Sequence, residues 1–289
     1  MQMANSTDAV APAIAKYAQG PIAELWKRPA LSSRDRSIVT TAALIARNQT
    51  VEMPHYLNLA LDSGVKPREL SEIITHLAFY SGWANAMSAV AVAKKVFATR
   101  HIAADQLPPA APTLLALDKD AEAKRANGVQ QNFGTVAPGL VQYTTDVLFR
   151  DLWLRADLAP RDRSLVTVAA LIATGQVAQV TFHLNKAMDN GLTAEQAGEV
   201  VTHLAVLFRL AQCILCSISR QRCDREAQRT YDKEVKGSSM QSTEHVTDEL
   251  YGGDACLTNR GDQRWSPEAI EALGSRSADN SLSAASSSC

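Results

Sequence analysis

Cysteine is missing from the first 212 of the 289 residues, and all five cysteines of the chain lie in the last 77. A disulfide framework spreads its cysteines through a domain, so this distribution argues against one. The chain also lacks an excess of charge of either sign, with 29 basic and 30 acidic residues, which argues against a nucleic-acid partner. It lacks a basic leader with an apolar stretch and any apolar run of membrane-spanning length, so we expect a cytoplasmic protein with no membrane partner.

An internal repeat dominates what is present. LSSRDRSIVTTAALIAR, at 31–47, returns as LAPRDRSLVTVAALIAT at 158–174. At a constant offset of 127 residues and without gaps, Leu31–Ala78 matches Leu158–Ala205 with 23 identities in 48 positions. Two copies of one domain are the economical explanation of this match.

Each copy has the apolar spacing and the end signals of helices. In copy one the pattern predicts helices over 32–47, 52–63, 67–79 and 79–100. Gly64 stands where a left-handed residue ends a helix, and Pro67 suits the first turn of the next helix. In copy two, Thr193 and Gln196 form the pattern of a capping box. No segment alternates with period two, so we expect no sheet.

These signals divide the chain into two all-α domains, a linker and a tail. The first repeat covers 1–105, a Pro- and Ala-rich linker covers 106–125, and the second repeat covers 126–235. The tail, 236–289, is rich in Ser and Gly and has no apolar periodicity, so we predict that it is disordered.

Three motifs carry a family resemblance: R-x-R-S-[IL]-V-T-x-A-A-L-I-A, an H-L-N or Y-L-N segment closed by D-x-G, and THLAFYSGWANAMSAVAVAKKVF. They resemble the carboxymuconolactone decarboxylase family over about residues 10–205, in two copies. The resemblance implies an all-α fold of two tandem helical-bundle repeats of the alkylhydroperoxidase D-like type. It also implies cofactor-free decarboxylation of a small unsaturated lactone carboxylate, without a metal. Because single-domain relatives assemble as trimers or hexamers, it implies a homotrimer of tandem chains.

The second copy stops matching the first after Ala205, where VLFRLAQCILC replaces FYSGWANAMSA. Synonymous codons exist for the new residues that, read one base later, spell FYSGWPNAFSA, which matches copy one at 9 of 11 positions. The same shifted frame reaches a stop near Lys236. We therefore hypothesise a frameshift after Ala205, which makes 206–235 an out-of-frame segment. For this reason we expect weak or no activity from the chain as it stands.

The pair Cys213 and Cys216 forms a C-x-x-C, which raises the alternative of alkylhydroperoxidase or peroxiredoxin activity. In the peroxidase branch of the superfamily, the cysteine pair precedes the histidine of the repeat's second helix. The corresponding positions in the two copies are Gln49, Glu52, Gln176 and Gln179. The resemblance therefore disfavours thiol chemistry. A non-catalytic module for small-molecule binding or assembly is a further alternative.

The family's second-helix histidine is retained in copy two as His183, and its counterpart in copy one is Tyr56, preceded by His55. Glu52 lies four residues before Tyr56 on the same helical face, whereas its counterpart is Gln179. Each copy thus keeps half of an acid–base pair, and we predict one composite catalytic site of His183 and Glu52 between packed copies. His183 would donate a hydrogen bond or proton, and Glu52 would shuttle a proton. The alternative is that the two halves diverged independently.

Several further side chains are candidates for substrate binding. Arg36 and Arg163 recur in R-D-R at a helix start and could clamp a carboxylate. The alternative for the R-D-R arginines is salt bridging with Asp35 and Asp162 or with neighbouring subunits. The remaining candidates, which could equally be core or pocket-wall residues, are Tyr56, His55, His76, His203, Tyr80 and Trp83.

Overall fold

The computed structural model describes residues 10–208, and over this range the chain is helical and contains no strand. In the first repeat the helices are α1 (Pro12–Tyr17), α2 (Ala23–Lys27), α3 (Ser33–Ala46), α4 (Met53–Asp62), α5 (Pro67–Tyr80) and α6 (Trp83–Thr99). The later helices are α7 (Lys119–Phe133), α8 (Pro138–Tyr143), α9 (Pro160–Thr174), α10 (Val177–Asp189) and α11 (Ala194–Leu207). The prediction of an all-α fold is confirmed.

The helices of the two repeats correspond one to one. Shifting α5 by 127 residues gives the bounds of α11, and the same shift takes α3 to α9 and α4 to the last part of α10. The correspondence begins upstream of the sequence match, since α1 leads into a π-helical turn, Ala18–Ile22, and α8 leads into another, Thr144–Phe149. The tandem repeat therefore includes these N-terminal helices.

Helices α3 and α9 form the centre of the core and pack against each other. The sequence pattern predicts one apolar face for α3, but the residues from Asp35 to Ala46 are buried on every side. Asp162 to Ala173 are buried in the same way in α9. A helix that is enclosed on all faces carries small and apolar residues all round, which explains the A-A-L-I-A run in both copies.

The helix ends follow local chemistry. The Ser32 hydroxyl caps α3 by accepting the Asp35 amide at 3.0 Å. Thr193 and Gln196 form the predicted capping box of α11, with bonds of 3.1 and 3.0 Å. Gly64 follows α4 with a φ of 91°, in the left-handed region that a side chain disfavours.

The long helix predicted over 79–100 is divided in the structure. Phe79 and Tyr80 complete α5, and α6 begins only at Trp83. Between them Gly82 has a φ of 94°, which is incompatible with a continuous right-handed helix. The break turns the chain so that Tyr80 ends α5 rather than lying within a single long helix.

Two compact units account for the described residues. One unit comprises 10–115 and 152–208, and the other comprises 116–151. In the smaller unit, buried Glu122 pairs with Arg125 at 2.7 Å and with Arg150 at 3.3 Å. The first part of the segment predicted as a linker, 106–118, contains no α-helix. The rest of it, 119–125, belongs to α7, which begins after Asp118 because the Asp118 carboxylate caps that helix.

Several sequence predictions concern residues outside this range. The pair Cys213 and Cys216, most of the segment 206–235 and the tail 236–289 lie outside the described residues, so their predicted behaviour remains a prediction. Within 10–208, no helix combines the length and the apolar character that crossing a membrane requires.

Candidate functional site

A buried ion pair joins the two repeats in the larger unit. Arg163 of α9 donates to Glu72 of α5 at 3.0 Å, and neither side chain is accessible to solvent. Arg155 donates to the same carboxylate at 2.8 Å, and the Arg155 carbonyl accepts a second bond from Arg163. Glu72 thus binds two guanidinium groups of the other repeat, which compensates for the loss of its hydration.

The same arrangement occurs with the repeats exchanged. Arg36 of α3 donates to Glu199 of α11 at 2.8 Å, and Arg28 binds this carboxylate through two nitrogens. These hydrogen bonds, first among them the one from Arg28, lower the pKa of Glu199. Reciprocal exchange of equivalent residues is the pattern of a pseudo-twofold interface. The two copies therefore pack as a pseudo-dimer within the larger unit.

The role predicted for Arg36 and Arg163 as substrate clamps is wrong in this geometry. Both side chains are fully buried and already bind a glutamate of the opposite repeat. A substrate carboxylate would have to displace that glutamate and leave a buried charge without its partner, which is strongly unfavourable. The two arginines hold the two repeats together at the interface.

The other R-D-R arginines form the salt bridges that were the alternative. Arg34 binds Asp162 of the other repeat at 2.7 Å, and Arg161 binds Asp35 at 2.9 Å. Both contacts cross the interface and are related by the same offset. They add to the attachment of α3 to α9 at their N-terminal ends.

Two buried histidines lie beside the ion pairs and are held neutral. Thr167 donates its hydroxyl proton to the Arg163 carbonyl, so it must accept from His76 Nε2 at 2.7 Å. His76 Nδ1 then accepts from the Arg163 guanidinium at 3.4 Å. Burial, with the charge of Arg163, holds the pKa of His76 well below its ordinary value. His76 is thus a neutral Nε2–H imidazole between two helices.

His203 makes the equivalent contacts in the other half. Its Nε2 lies 2.8 Å from Thr40 Oγ1, which itself donates to the Arg36 carbonyl, and its Nδ1 lies 3.1 Å from Arg36. Burial and the Arg36 cation lower the pKa of His203 to about 3. The packed-core alternative therefore describes both histidines, since neither charges near neutral pH.

A cluster of aromatic side chains packs against His76 and includes His183. The rings of His183 and Trp153 are stacked with centroids 6.2 Å apart, and Tyr80 meets the His183 ring edge-on at 5.5 Å. The indole Nε1 of Trp153 donates to the Tyr80 hydroxyl at 2.9 Å, and Tyr80 stacks on His76 at 4.7 Å. Lys186 Nζ lies 5.0 Å from the Trp153 ring. We name His183, Tyr80, Trp153, Lys186 and His76 the His183 centre.

The environment of His183 sets its protonation state. The residue is 7% exposed, and its Nδ1 is buried without a hydrogen-bond partner among the described residues. Burial first, and then the charge of Lys186, lower the pKa of His183 to about 4. The imidazole is therefore neutral at pH 7, with one N–H to donate and one nitrogen to accept. A buried polar atom without a partner is costly, and a bound ligand can supply the missing hydrogen bond.

The described contacts do not pair Glu52 with His183, because the contacts of these two residues belong to different clusters. Glu52 lies beside Tyr56, where burial and this carboxylate raise the pKa of the phenol. Tyr56 stacks on Trp26 at 6.1 Å, and Trp26 meets His203 edge-on. Within 10–208, no hydrogen bond joins Glu52 to His183. The cluster around His183 does join the two repeats, and Tyr80 and His76 are its members from copy one.

The remaining candidates lie at the edges of these clusters or outside them. His55 is exposed and meets only the edge of the Tyr56 ring among the aromatic contacts described. Trp83 is 65% exposed and packs against Phe79 at the start of α6. The break at Gly82 separates Trp83 from the helix that carries Tyr80.

Sequence reasoning missed Trp153, Lys186 and the glutamates that pair with the arginines. A signal for Trp153 was present, since L-W-x-R occurs at 25–28 and again at 152–155, at the same offset of 127 but upstream of the recognised match. Glu72 and Glu199 also share that offset. Lys186 had no such signal, because its counterpart is Leu59. Within 10–208, the histidine, cysteine and carboxylate side chains form no group of three that could hold a metal ion.

Comparison with known proteins agrees with this architecture. A model of the carboxymuconolactone decarboxylase family matches residues 10–95 and 138–213, and the chain belongs to this family. The two matched regions are the two repeats. They confirm the tandem arrangement predicted from the 127-residue offset.

Two relatives are both decarboxylases by name. Over 94 residues the chain is 34% identical to a 4-carboxymuconolactone decarboxylase of Acinetobacter baylyi. This alignment covers 32% of this chain and 68% of that protein. Over 82 residues the chain is 29% identical to the nitrosuccinic acid decarboxylase npaB of Metarhizium robertsii. This second alignment covers 28% of this chain and 55% of that protein. Each similarity thus extends over less than a third of the chain.

Proposed function

We propose that this chain is a decarboxylase for a small carboxylic acid, and that the His183 centre performs the reaction. The observation that carries the proposal is the buried, neutral imidazole of His183 against Tyr80 and Trp153 at the repeat interface. Membership of the family and the two relatives named as decarboxylases support the reaction class. For the substrate we propose an unsaturated lactone carboxylate.

The chemistry requires a group that accepts electron density. When the C–C bond to the carboxylate breaks and CO₂ leaves, the electron pair moves into the conjugated lactone carbonyl and forms a dienolate. A hydrogen-bond donor at the carbonyl oxygen stabilises this charge, most strongly in a site from which water is excluded. The neutral imidazole of His183 can donate its N–H to that oxygen. Because its pKa is about 4, it acts as a neutral donor rather than as a cationic acid.

The reaction ends when a proton returns to carbon, and Tyr80 is the group we assign to this step. The Tyr80 hydroxyl oxygen accepts a hydrogen bond from the Trp153 indole at 2.9 Å, so the hydroxyl proton can be donated to the substrate. The indole N–H stabilises the charge that develops on the phenol oxygen as that proton leaves. Solvent then restores the proton. This assignment replaces the proton shuttle predicted for Glu52.

Behind these groups, the interface keeps the rings in place. His76 stacks on Tyr80 and is itself fixed by Thr167 and Arg163. The Arg163–Glu72 pair holds α9 to α5, the helix that ends in Tyr80. A catalytic side chain held by packing and hydrogen bonds loses little order when the substrate binds, which favours the transition state.

The test is release of CO₂ from 4-carboxymuconolactone and from a panel of related acids. It uses the full chain and the chain with the reading frame restored after Ala205. We expect His183→Gln and Tyr80→Phe each to lower kcat by roughly a hundredfold or more. The matched control is Tyr17→Phe, since Tyr17 is exposed on α1. Unchanged kcat in His183→Gln would contradict the proposal.

We also propose a homotrimer, as the resemblance implies. Four apolar side chains form an exposed stripe along the end of α5 and along α6: Phe79, Trp83, Met87 and Val90. Such a stripe on a helix is typical of a surface that another copy covers. Light scattering of the full chain tests the assembly, with Trp83→Glu expected to shift it toward the single chain. A single chain at all concentrations would contradict the proposal.

A further inference from the structure

The two interface clusters share their buried framework and differ in the groups around one tryptophan. The framework pairs are identical at offset 127: Trp26 and Trp153, Arg28 and Arg155, Arg36 and Arg163, Thr40 and Thr167, Glu72 and Glu199, His76 and His203. The differences include three side chains that contact Trp153. His183, Lys186 and Tyr80 stand where the other half has Tyr56, Leu59 and Leu207.

The shared residues and the differing residues have different roles. The shared residues form ion pairs and hydrogen bonds that hold the repeats together in both halves. Only one half adds an imidazole, an ammonium group and a phenol that can bind a ligand. The other half has a phenol and two leucine positions, which provide no cation. At these three positions an anionic ligand therefore meets a cation in one half alone.

Lys186 is placed to meet such a ligand. It is half-buried on α10, one turn after His183, and its ammonium group lies over the Trp153 ring. It is near enough to the imidazole to lower the pKa of His183. His183 Nδ1 is buried without a partner among the described residues, so two polar groups of different character converge on one tryptophan.

The chemistry of CO₂ loss restricts what Lys186 can bind. A cation on the departing carboxylate would stabilise a charge that disappears in the transition state, and so would slow the reaction. A cation that binds an anionic group that stays on the substrate stabilises the ground state and the transition state equally. It also fixes the orientation of the substrate in the site. The productive position for the departing carboxylate is thus away from Lys186, against the aromatic faces.

We propose that each chain has a single functional centre, at His183, and that Lys186 determines its specificity by binding an anionic group that the substrate keeps. The second cluster, around Tyr56, supports the fold and binds no substrate. The statement about the retained group rests on the proposed function, whereas the single anion site per chain does not.

The experiment is calorimetric titration of the full chain with maleate, a small unsaturated anion. We expect one maleate per chain. Lys186→Met should weaken binding by about tenfold to a hundredfold, the loss of one charge-assisted hydrogen bond. Lys186→Arg should keep most of the affinity, because it restores the charge. The matched control, Lys94→Met, removes an exposed lysine of α6 and should bind as the unmodified chain does.

The outcomes separate this proposal from the proposed function. Thermal melting of each variant shows whether it is folded, and Lys186→Gln is the second variant if Lys186→Met is not. Two equal maleate sites per chain, no maleate binding, or equal affinity in the folded Lys186 variants would each overturn the proposal. One site that depends on Lys186, without CO₂ release from any acid by the chain with the restored frame, would support this site and reject decarboxylation.

Discussion

Acid should destabilise this protein through His203, a fully buried residue. Its imidazole accepts from Arg36 and donates to Thr40, and burial with the Arg36 cation lowers its pKa to about 3 from an ordinary 6.5. The folded chain therefore keeps His203 neutral while the unfolded chain binds a proton below pH 6.5. The stability that this group supports is complete above pH 6.5 and is lost as the pH falls toward 3.

The magnitude follows from the two pKa values. Each pH unit between them is worth about 1.4 kcal/mol in the free energy of unfolding. Between about pH 7.5 and 4.5, His203 alone should remove about 3 kcal/mol. His76 and His183, whose pKa values are also lowered by burial, act in the same direction. A loss of this size is a large fraction of the stability of an ordinary domain.

Urea unfolding of the full chain, followed by circular dichroism at a series of pH values, measures this dependence. In His203→Gln the amide can replace both hydrogen bonds but cannot take up a proton. We expect the variant to be less stable at pH 7.5 and to lose about 3 kcal/mol less than the unmodified chain on acidification. His55→Gln, which removes an exposed histidine, is the control. Parallel losses in His203→Gln and the unmodified chain would refute the reasoning.

Three further changes test the interface, a helix end and the reading frame. Arg163→Met should cost about 3 kcal/mol in urea unfolding, because it removes one of the two guanidinium groups that bind the buried Glu72 carboxylate, and an unchanged free energy of unfolding would contradict this. Gly64→Ala should cost about 1 kcal/mol at a φ of 91°, whereas Gly128→Ala within α7, where an added Cβ meets nothing within 4 Å, should stabilise by up to about 1 kcal/mol. Restoring the frame after Ala205 should raise the Tm; an unchanged Tm would show that the present segment packs equally well.

The fold could be predicted from sequence because its determinants are local and repeated. Ser32, Gly64 and the Thr193 capping box each set a helix end through neighbours a few residues away. The 127-residue offset then repeats the Gly64 signal at Gly191. The division at Gly82 was missed because an apolar pattern continued across it, and only the backbone angle at one glycine stops the helix.

The site was less predictable because its partners are distant in sequence. The offset equates His183 with Tyr56, so it pointed to Glu52 as the missing partner, whereas the partner in space is Tyr80. Exchange of residues between repeats brings α5 of one copy to α10 of the other, and no pattern within one copy reveals this. The same exchange explains why Arg36 and Arg163 proved to be buried supports rather than ligands of a substrate.

The exchange of buried partners also has a consequence for how the chain is synthesised. Glu72 and His76 leave the ribosome before Arg163, which is 91 residues after Glu72. At roughly 5–20 residues per second, the first repeat waits about 5–18 s for the groups that neutralise its buried carboxylate. During this time its interface face is uncovered and open to wrong partners, including the first repeat of a neighbouring nascent chain. Folding in the cell is therefore tied to the pace of translation between the two copies.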